Sequence, residues 1–151
     1  MEENDSPHGI FTRYMNEQGM RKTPERYAVM EVFVKLQGHN SADQLLAMMP
    51  DSFHVSRGTV YSTLSLLVDC GLAYSHNVGG VTLYENAYGV APHNHYICSG
   101  CNKIWDFYDT SIERAISGIR TPKFKKMKVC AYIYGYCLSL IHISEPTRLL
   151  S

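Results

Sequence analysis

The residues with the clearest chemical potential lie in one short stretch, where His93, His95, Cys98 and Cys101 fall within nine residues. The two cysteines form a C-x-x-C pair, whose spacing lets a tight turn bring both sulfurs to one tetrahedral metal ion. A redox C-x-x-C with incidental histidines is the alternative. The combination of four metal-binding side chains favours the metal site over it.

The alternation of the histidines separates them from the first thiol. If the stretch is a β-strand, His93 and His95 share one face and Cys98 lies on the other. Soft thiolates and harder imidazoles prefer different metals, so two separate metal sites are predicted. Asp106, in a second predicted strand over 103–107, is able to face the histidines.

The elements before this stretch are predominantly helical. Apolar spacing predicts a first helix over 10–18, and the N-caps Thr23, Ser41 and Ser56 each begin a further helix. His39 is placed in the loop before the second of these caps. Two strands, 72–76 and 81–85, then form a predicted hairpin.

The helix after Ser56 buries an apolar stripe and turns polar side chains outward. A short helix, a turn and such a helix form the helix-turn-helix arrangement, whose second helix enters a DNA major groove. In that groove Arg57 suits a phosphate or a guanine edge, Thr59 a phosphate, and Tyr61 a thymine methyl. An ordinary three-helix bundle with a polar outer face explains the periodicity equally well. The hairpin after the helix is typical of a wing.

Composition and charge limit the class of protein. Hydrophobic residues make up 45% and charged residues 19% of the 151, as in ordinary soluble globular proteins. No apolar run is long enough to span a bilayer, and no apolar segment follows the acidic N-terminus, so a cytoplasmic protein without a membrane partner is expected. Five cysteines fit reduced thiols better than a disulfide framework. The net charge of zero counts against nucleic-acid binding.

These patterns predict an α+β fold in three parts. They are an N-terminal winged helix-turn-helix DNA-binding domain over 1–86, a hinge over 87–92, and a small α/β dimerisation domain that binds metal over 93–137. The exposed edge of the second sheet favours pairing with a second copy, so a homodimer is expected. Residues 138–151 resemble translated read-through of a sequencing adapter. We therefore treat them as a non-native tail and expect the natural C-terminus to be missing.

Six motifs in a fixed order make the chain similar to a known family. They lie at 21–26, 39–43, 56–64, 84–85, 93–101 and 134–137. Over about residues 10 to 137 the sequence resembles the ferric uptake regulator family of metal-sensing repressors. The resemblance implies a winged helix joined to an α/β dimerisation domain, and a DNA-binding repressor without catalytic residues.

The resemblance also implies a structural Zn²⁺ site. Its ligands are Cys98, Cys101, Cys137 and a fourth cysteine three places after Cys137. Leu140 stands at that fourth position, inside the predicted tail. Cys130 and His142 also have side chains that bind zinc, but neither stands at the position that the family uses for the fourth ligand.

A regulatory site for Fe²⁺, Mn²⁺ or Zn²⁺ is implied as well, and its ligands are His39, Glu85, His93, His95 and Asp106. Such a site joins the DNA-binding half or the hinge to the dimerisation half, so a bound metal is expected to select the DNA-binding conformation. The residues predicted to contact a double-stranded DNA operator are Arg21, Arg57, Thr59, Tyr61 and Ser62. Ser62 stands where many family members have arginine, which weakens one expected phosphate contact.

Glu85 bears on the branch of the family. Peroxide-sensing members carry aspartate there, so Glu85 favours an iron-responsive repressor. A peroxide-sensing repressor is the alternative, and zinc- and manganese-responsive branches stay open. The rival from another class is a zinc hydrolase or thiol oxidoreductase built on Cys98 and Cys101, although neither an open catalytic zinc position nor a βαβ context is evident. A metallochaperone that does not bind DNA is the third hypothesis.

Overall fold

The structure is a computed structural model that describes residues 5–125 and 128–141. The chain divides into two compact units, Met1–Val90 and Ala91–Ser151. The division falls within the stretch 87–92, where the sequence predicts a hinge. Each unit combines helices with one three-stranded sheet. The predicted α+β class is therefore confirmed.

The N-terminal unit is a winged helix. Its elements are α1 (Pro7–Glu17), α2 (Pro24–Phe33), β1 (His39–Ser41), α3 (Ala42–Met48), α4 (Arg57–Asp69), β2 (Ala73–Val78) and β3 (Val81–Asn86). The sheet is antiparallel, with strand order β1-β3-β2. The hairpin of β2 and β3 directly follows α4 and forms the wing.

Short polar side chains begin the helices at the predicted positions. The hydroxyls of Thr23, Ser41 and Ser56 each accept a hydrogen bond from the backbone N–H three residues further on, at 3.4, 3.2 and 3.1 Å. Ser41 and Gln44 form a reciprocal capping box. Such caps satisfy N–H groups that the first helical turn leaves unpaired.

Apolar side chains from all four helices meet in the core of this unit. The fully buried members include Phe11, Met15, Val29, Phe33, Leu45, Val60, Leu64 and Leu67. Full burial of one large apolar side chain contributes roughly 1.5–3 kcal/mol. The core therefore fixes the orientation of α4 and leaves the opposite face of that helix in solvent.

Strand β1 is an element that the sequence pattern did not predict. It has only three residues, and it pairs with β3 in the register His39 to Glu85 and Ser41 to Leu83. Three residues are too few to show a hydrophobic period. His39 accordingly lies in a strand of the sheet, and its assignment to a loop was wrong.

The C-terminal unit contains a second three-stranded sheet. Its elements are β4 (Asn94–Cys98), β5 (Ile104–Phe107), α5 (Thr110–Ser117), β6 (Tyr132–Gly135) and α6 (Leu138–Ile141). The order is β5-β4-β6, with β4 antiparallel to β5 and parallel to β6. The last strand, β6, has only four residues.

The predicted non-native tail lies mostly outside the described residues. Its first four residues form the short helix α6, whereas 142–151, including His142, are not described. Across the described ranges, no helix has the length and apolar character needed to cross a lipid bilayer.

Candidate metal centres and DNA-reading face

Three thiols converge in the C-terminal unit, as predicted for the zinc site. The ligand sulfurs of Cys98, Cys101 and Cys137 all lie within 4.8 Å of one another. Cys98 ends β4 and Cys101 lies in the turn after it. The parallel register pairs Cys98 with Gly135 of β6, which brings Cys137, two residues further on, alongside. Sulfur donors of this number suit a tetrahedral Zn²⁺ site that one further ligand completes.

The backbone around Cys98 favours its charged form. Burial raises the pKa of the Cys98 thiol, but hydrogen bonds from the backbone N–H groups of Cys137, Cys101 and Gly100 outweigh burial and lower this pKa to about 6. The N–H of Cys137 lies 3.3 Å from the Cys98 sulfur. Since zinc binds the thiolate, the turn prepares this cysteine for metal binding.

The fourth ligand position stays a prediction. Leu140 stands there in the sequence. Of the two other residues with zinc-binding side chains, His142 lies outside the described residues. Cys130 contacts His95 instead, with its sulfur 3.2 Å from Nδ1 of that imidazole. Cys130 is therefore not part of the thiol group.

Glu85 is the centre of a buried imidazole and carboxylate cluster in the N-terminal unit. It lies on the middle strand β3, directly opposite His39 of β1 and diagonal to His76 of β2. Its Oε2 is 3.4 Å from Nε2 of His39 and 2.9 Å from Nε2 of His76. The side chains of His39 and Glu85 are each only 6% exposed. The sheet therefore brings two of the predicted regulatory ligands together.

His76 belongs to this cluster, and the sequence analysis missed it. The hairpin turn is only Gly79–Gly80, because Val78 pairs with Val81. Counting back from that pair places His76 opposite Leu83 and on the face of Glu85. The two glycines are the sequence signal for a two-residue turn. The predicted strands leave four residues between them, and this spacing does not give the observed register.

The C-terminal unit holds the other predicted regulatory ligands. His95 of β4 pairs directly with Asp106 of β5, and His93 lies two residues before His95 on the same face. Asp106 Oδ1 lies 3.6 Å from Nε2 of His93 and 3.4 Å from Nε2 of His95. Nδ1 of His93 lies 2.9 Å from the Ala91 carbonyl. Donation to that carbonyl turns the Nε2 lone pair toward Asp106.

The donor chemistry of these residues fits a divalent transition metal. Each unit supplies imidazole nitrogen from side chains that are almost fully buried, and a carboxylate oxygen from the buried Glu85 or the more exposed Asp106. Sites of this composition suit Fe²⁺, Mn²⁺ and Zn²⁺, whereas the thiol group suits Zn²⁺. The two kinds of donor are held apart on β4, since His95 and Cys98 face opposite sides of the sheet.

Four of the five residues predicted to contact DNA lie in the first two turns of α4. Arg57, Tyr61 and Ser62 are exposed and Thr59 is half-buried. The Arg57 guanidinium lies 3.1 Å from the Asp43 carboxylate and 5.5 Å from the centre of the Tyr61 ring. It is thus held over the start of α4 while its side chain stays 64% exposed.

Two members of that set, Ser62 and Arg21, take part in local hydrogen bonds. The Ser62 hydroxyl donates to the Thr59 carbonyl at 3.1 Å, so it folds back on its own helix. Arg21 precedes α2, and its carbonyl accepts a hydrogen bond of 2.6 Å from the Arg26 guanidinium. Arg21 is exposed and lies outside α4.

Comparison with known proteins agrees with this combination of a winged helix and two metal-binding groups. Residues 17–134 match the model of the ferric uptake regulator family. The chain belongs to this family. Fur-family proteins are metal-responsive transcriptional regulators rather than enzymes, and they bind DNA as dimers. The zinc hydrolase and thiol oxidoreductase alternatives find no support in such a family.

Individual Fur-family relatives come from several bacteria. The chain is 29% identical over 125 residues to the peroxide operon regulator of Bacillus subtilis, covering 82% of this chain and 86% of that protein. It is 31% identical over 97 residues to the peroxide-responsive repressor PerR of Staphylococcus saprophyticus, covering 62% and 64%, and so spans less than two thirds of that relative. The ferric uptake regulator of Pseudomonas aeruginosa, solved with manganese, has 25% identity and a TM-score of 0.69, with 85% and 98% covered.

Proposed function

We propose that this chain is a metal-dependent repressor that binds a double-stranded operator as a homodimer. One observation carries the proposal: each unit presents its own imidazole and carboxylate group. His39 lies with Glu85 in one unit, and the buried His93 and His95 lie with Asp106, whose side chain is 37% exposed, in the other. In the proposed mechanism these five side chains bind one divalent ion together. A bound ion would supply positive charge and a preferred coordination geometry, and both would hold the five side chains together.

The winged helix supports a mechanism in which this site acts on DNA binding. Glu85 lies on β3, and the hairpin of β3 and β2 leads directly back to α4, the helix with the exposed Arg57 and Tyr61. Joining Glu85 to the C-terminal unit restricts the orientation of α4 relative to that unit. In a homodimer this restriction sets the separation of two α4 helices, which must match major grooves about 34–36 Å apart.

The surface of the C-terminal unit supports a homodimer. Its exposed apolar side chains include Tyr96, Trp105, Ile133, Tyr134 and Tyr136. Four of them, Tyr96, Trp105, Ile133 and Tyr136, line an apolar cleft of about 580 Å³. Exposed apolar patches of this kind mark interaction surfaces.

We also propose that the protein is cytoplasmic, because a repressor must reach DNA and because its cysteines are expected to stay reduced.

Metal dependence is tested by fluorescence anisotropy on duplexes selected from a random pool with Mn²⁺-loaded protein. Zinc is kept in the thiol site throughout. We expect Mn²⁺ to raise DNA affinity by roughly 5–150-fold, the usual range for coupling between two sites. Glu85→Ala and Asp106→Ala are expected to lose this gain. Glu31→Ala, which removes an exposed carboxylate of α2, is the control for the change in charge and is expected to keep it.

Equal DNA affinity with and without metal in the parent protein would rule out the proposal. Metal-dependent binding that survives both Glu85→Ala and Asp106→Ala would instead show that the responsive site lies elsewhere. Metal binding without any DNA binding would favour the metallochaperone.

An iron-responsive repressor is the favoured form, because Glu85 stands where peroxide-sensing members have aspartate. The peroxide-sensing form is the second candidate, since the relatives from Bacillus subtilis and Staphylococcus saprophyticus are peroxide regulators. Treating iron-loaded protein with hydrogen peroxide and mapping oxidised histidines by mass spectrometry separates the two. We expect His39 and His93 to stay unmodified, and an added oxygen on either would move the assignment to the peroxide branch.

A further inference from the structure

Cys130 is in direct contact with one of the proposed regulatory ligands. Its sulfur lies 3.2 Å from Nδ1 of His95, an imidazole that is only 1% exposed. Cys130 itself is half-buried and lies two residues before β6. It therefore faces the nitrogen of His95 that points away from Asp106, not the nitrogen that points toward it.

Backbone hydrogen bonds tie the segment of Cys130 to the strand of His95. The His95 N–H donates to the Ala131 carbonyl at 3.0 Å. The Ala131 N–H donates to the Asn94 side-chain oxygen at 2.9 Å. Two bonds on consecutive residues of β4 thus hold the thiol at a defined distance from the imidazole.

The thiol of Cys130 has a carbonyl acceptor for its own proton, and this favours one tautomer of His95. The Cys130 thiol donates to the Ala131 carbonyl at 3.8 Å, which leaves the sulfur lone pairs to accept from Nδ1–H of His95. With its proton on Nδ1, His95 presents the Nε2 lone pair toward Asp106, whose Oδ1 is 3.4 Å away. That is the tautomer in which His95 binds a metal through Nε2.

We propose that Cys130 is the positioning residue of His95, so that this thiol sets the metal affinity of the regulatory site. The proposal rests on the function proposed above. Metal-binding histidines usually donate their second N–H to a carboxylate, a carbonyl or water. His93 follows that rule with the Ala91 carbonyl. His95 donates instead to the Cys130 thiol, which is a weaker acceptor than a carbonyl. Unlike the Ala91 carbonyl, this acceptor can be removed by chemical modification of a side chain.

The test compares acceptors of different strength at one position. Cys130→Ser keeps an acceptor, whereas Cys130→Val and Cys130→Ala remove it, the first with little change in volume. Cys70→Val is the matched control, because Cys70 is a half-buried thiol of the N-terminal unit whose sulfur donates to the Leu67 carbonyl. All variants are prepared with zinc in the thiol site, and their folding is checked by circular dichroism.

Two measurements are made on each variant. Nitrogen-15 NMR of the imidazole rings in protein without regulatory metal reports the tautomer of His95, and calorimetry reports Mn²⁺ affinity. We expect the Nδ1–H tautomer in the parent and in Cys130→Ser. In Cys130→Val and Cys130→Ala we expect that tautomer to be depleted and Mn²⁺ to bind about 10–100-fold more weakly, the usual loss for an outer partner of a metal ligand. Cys70→Val is expected to match the parent.

The outcomes separate the two proposals. An unchanged tautomer and unchanged Mn²⁺ affinity in both acceptor-free variants would overturn the role of Cys130 while leaving the metal-dependent repressor intact. If the parent binds no Mn²⁺, the repressor proposal fails, and the NMR result still shows whether Cys130 sets the tautomer. An equal loss of Mn²⁺ affinity in Cys130→Ser and Cys130→Val would also overturn the role of Cys130, since the serine oxygen keeps a hydrogen-bond acceptor at that position.

Discussion

Cys98 shows how backbone geometry prepares a single side chain for metal. Cys98 is only 1% exposed, and burial alone favours the neutral form of its thiol. The N–H groups that point at its sulfur come from the turn after β4 and from Cys137, which is distant in sequence. The lowered pKa therefore depends on the parallel pairing of β4 with β6. Zinc binding at neutral pH consequently displaces fewer protons than three ordinary thiols would release.

A thiolate titration of the metal-free protein tests this electrostatic effect. The pKa of Cys98 is depressed from 9.0 to about 6. Its contribution to folding is thus complete above pH 9, declines as the pH falls and is lost below about 6. We expect ultraviolet absorbance to show one thiolate with a midpoint near 6, absent in Cys98→Ser and kept in Cys70→Ser, since burial raises the pKa of Cys70. A protein in which every thiol titrates in the ordinary range would contradict this.

Among the elements, the helices and the longer strands follow their local sequence closely, whereas the short strand β1 does not. The caps Thr23, Ser41 and Ser56 begin helices where the sequence predicts them, because a cap is satisfied within one turn of its own chain. Strand β1 depends on pairing with β3, more than forty residues away. A strand of three residues has no local signal strong enough to reveal such a partner.

The sheet registers, rather than the strands themselves, assemble the candidate ligands. The faces of His93, His95 and Cys98 followed from alternation along one strand, and β4 has that arrangement. The pairing of His95 with Asp106 and the contact of His76 with Glu85 depend on which residues stand opposite on neighbouring strands. A shift of register by one residue would move these side chains to the other face of the sheet.

At the scale of the whole molecule, the two units differ in the kind of side chain that they bury. The N-terminal unit has a core of large apolar side chains. In the described part of the C-terminal unit, the buried side chains are His93, Asn94, His95, Ile97 and Cys98, of which only two are hydrophobic. A unit with so little buried apolar surface depends on other sources of stability, such as metal ligands and a partner subunit.

Adding a fourth thiol tests how far the C-terminal unit depends on zinc. Leu140→Cys places cysteine at the family's fourth position, and we expect zinc affinity to rise by roughly tenfold or more and the unfolding temperature of the zinc-loaded protein to increase. Leu138→Cys, at a 76% exposed site directly after Cys137, adds a thiol without that spacing and is expected to change neither. Competition with a chromogenic chelator measures the affinity. Identical zinc affinity in the parent and in Leu140→Cys would show that the family position is not used here.

The sequence by itself determined which chemistry this chain carries. Residue types and their spacing indicate a thiol group and a histidine pair near Asp106, and local caps and periodicity indicate the helices and the hairpin that precede them. The winged helix and the full set of regulatory ligands followed from the resemblance to the family. Only the tertiary structure decided that His76 contacts Glu85 and that Cys130 contacts His95. These contacts join residues 9 and 35 positions apart. The first contact arises from the register of a hairpin, for which the two glycines of its turn are the signal in the sequence. The second arises from the pairing of β4 with the distant segment around β6, which no short stretch of sequence encodes.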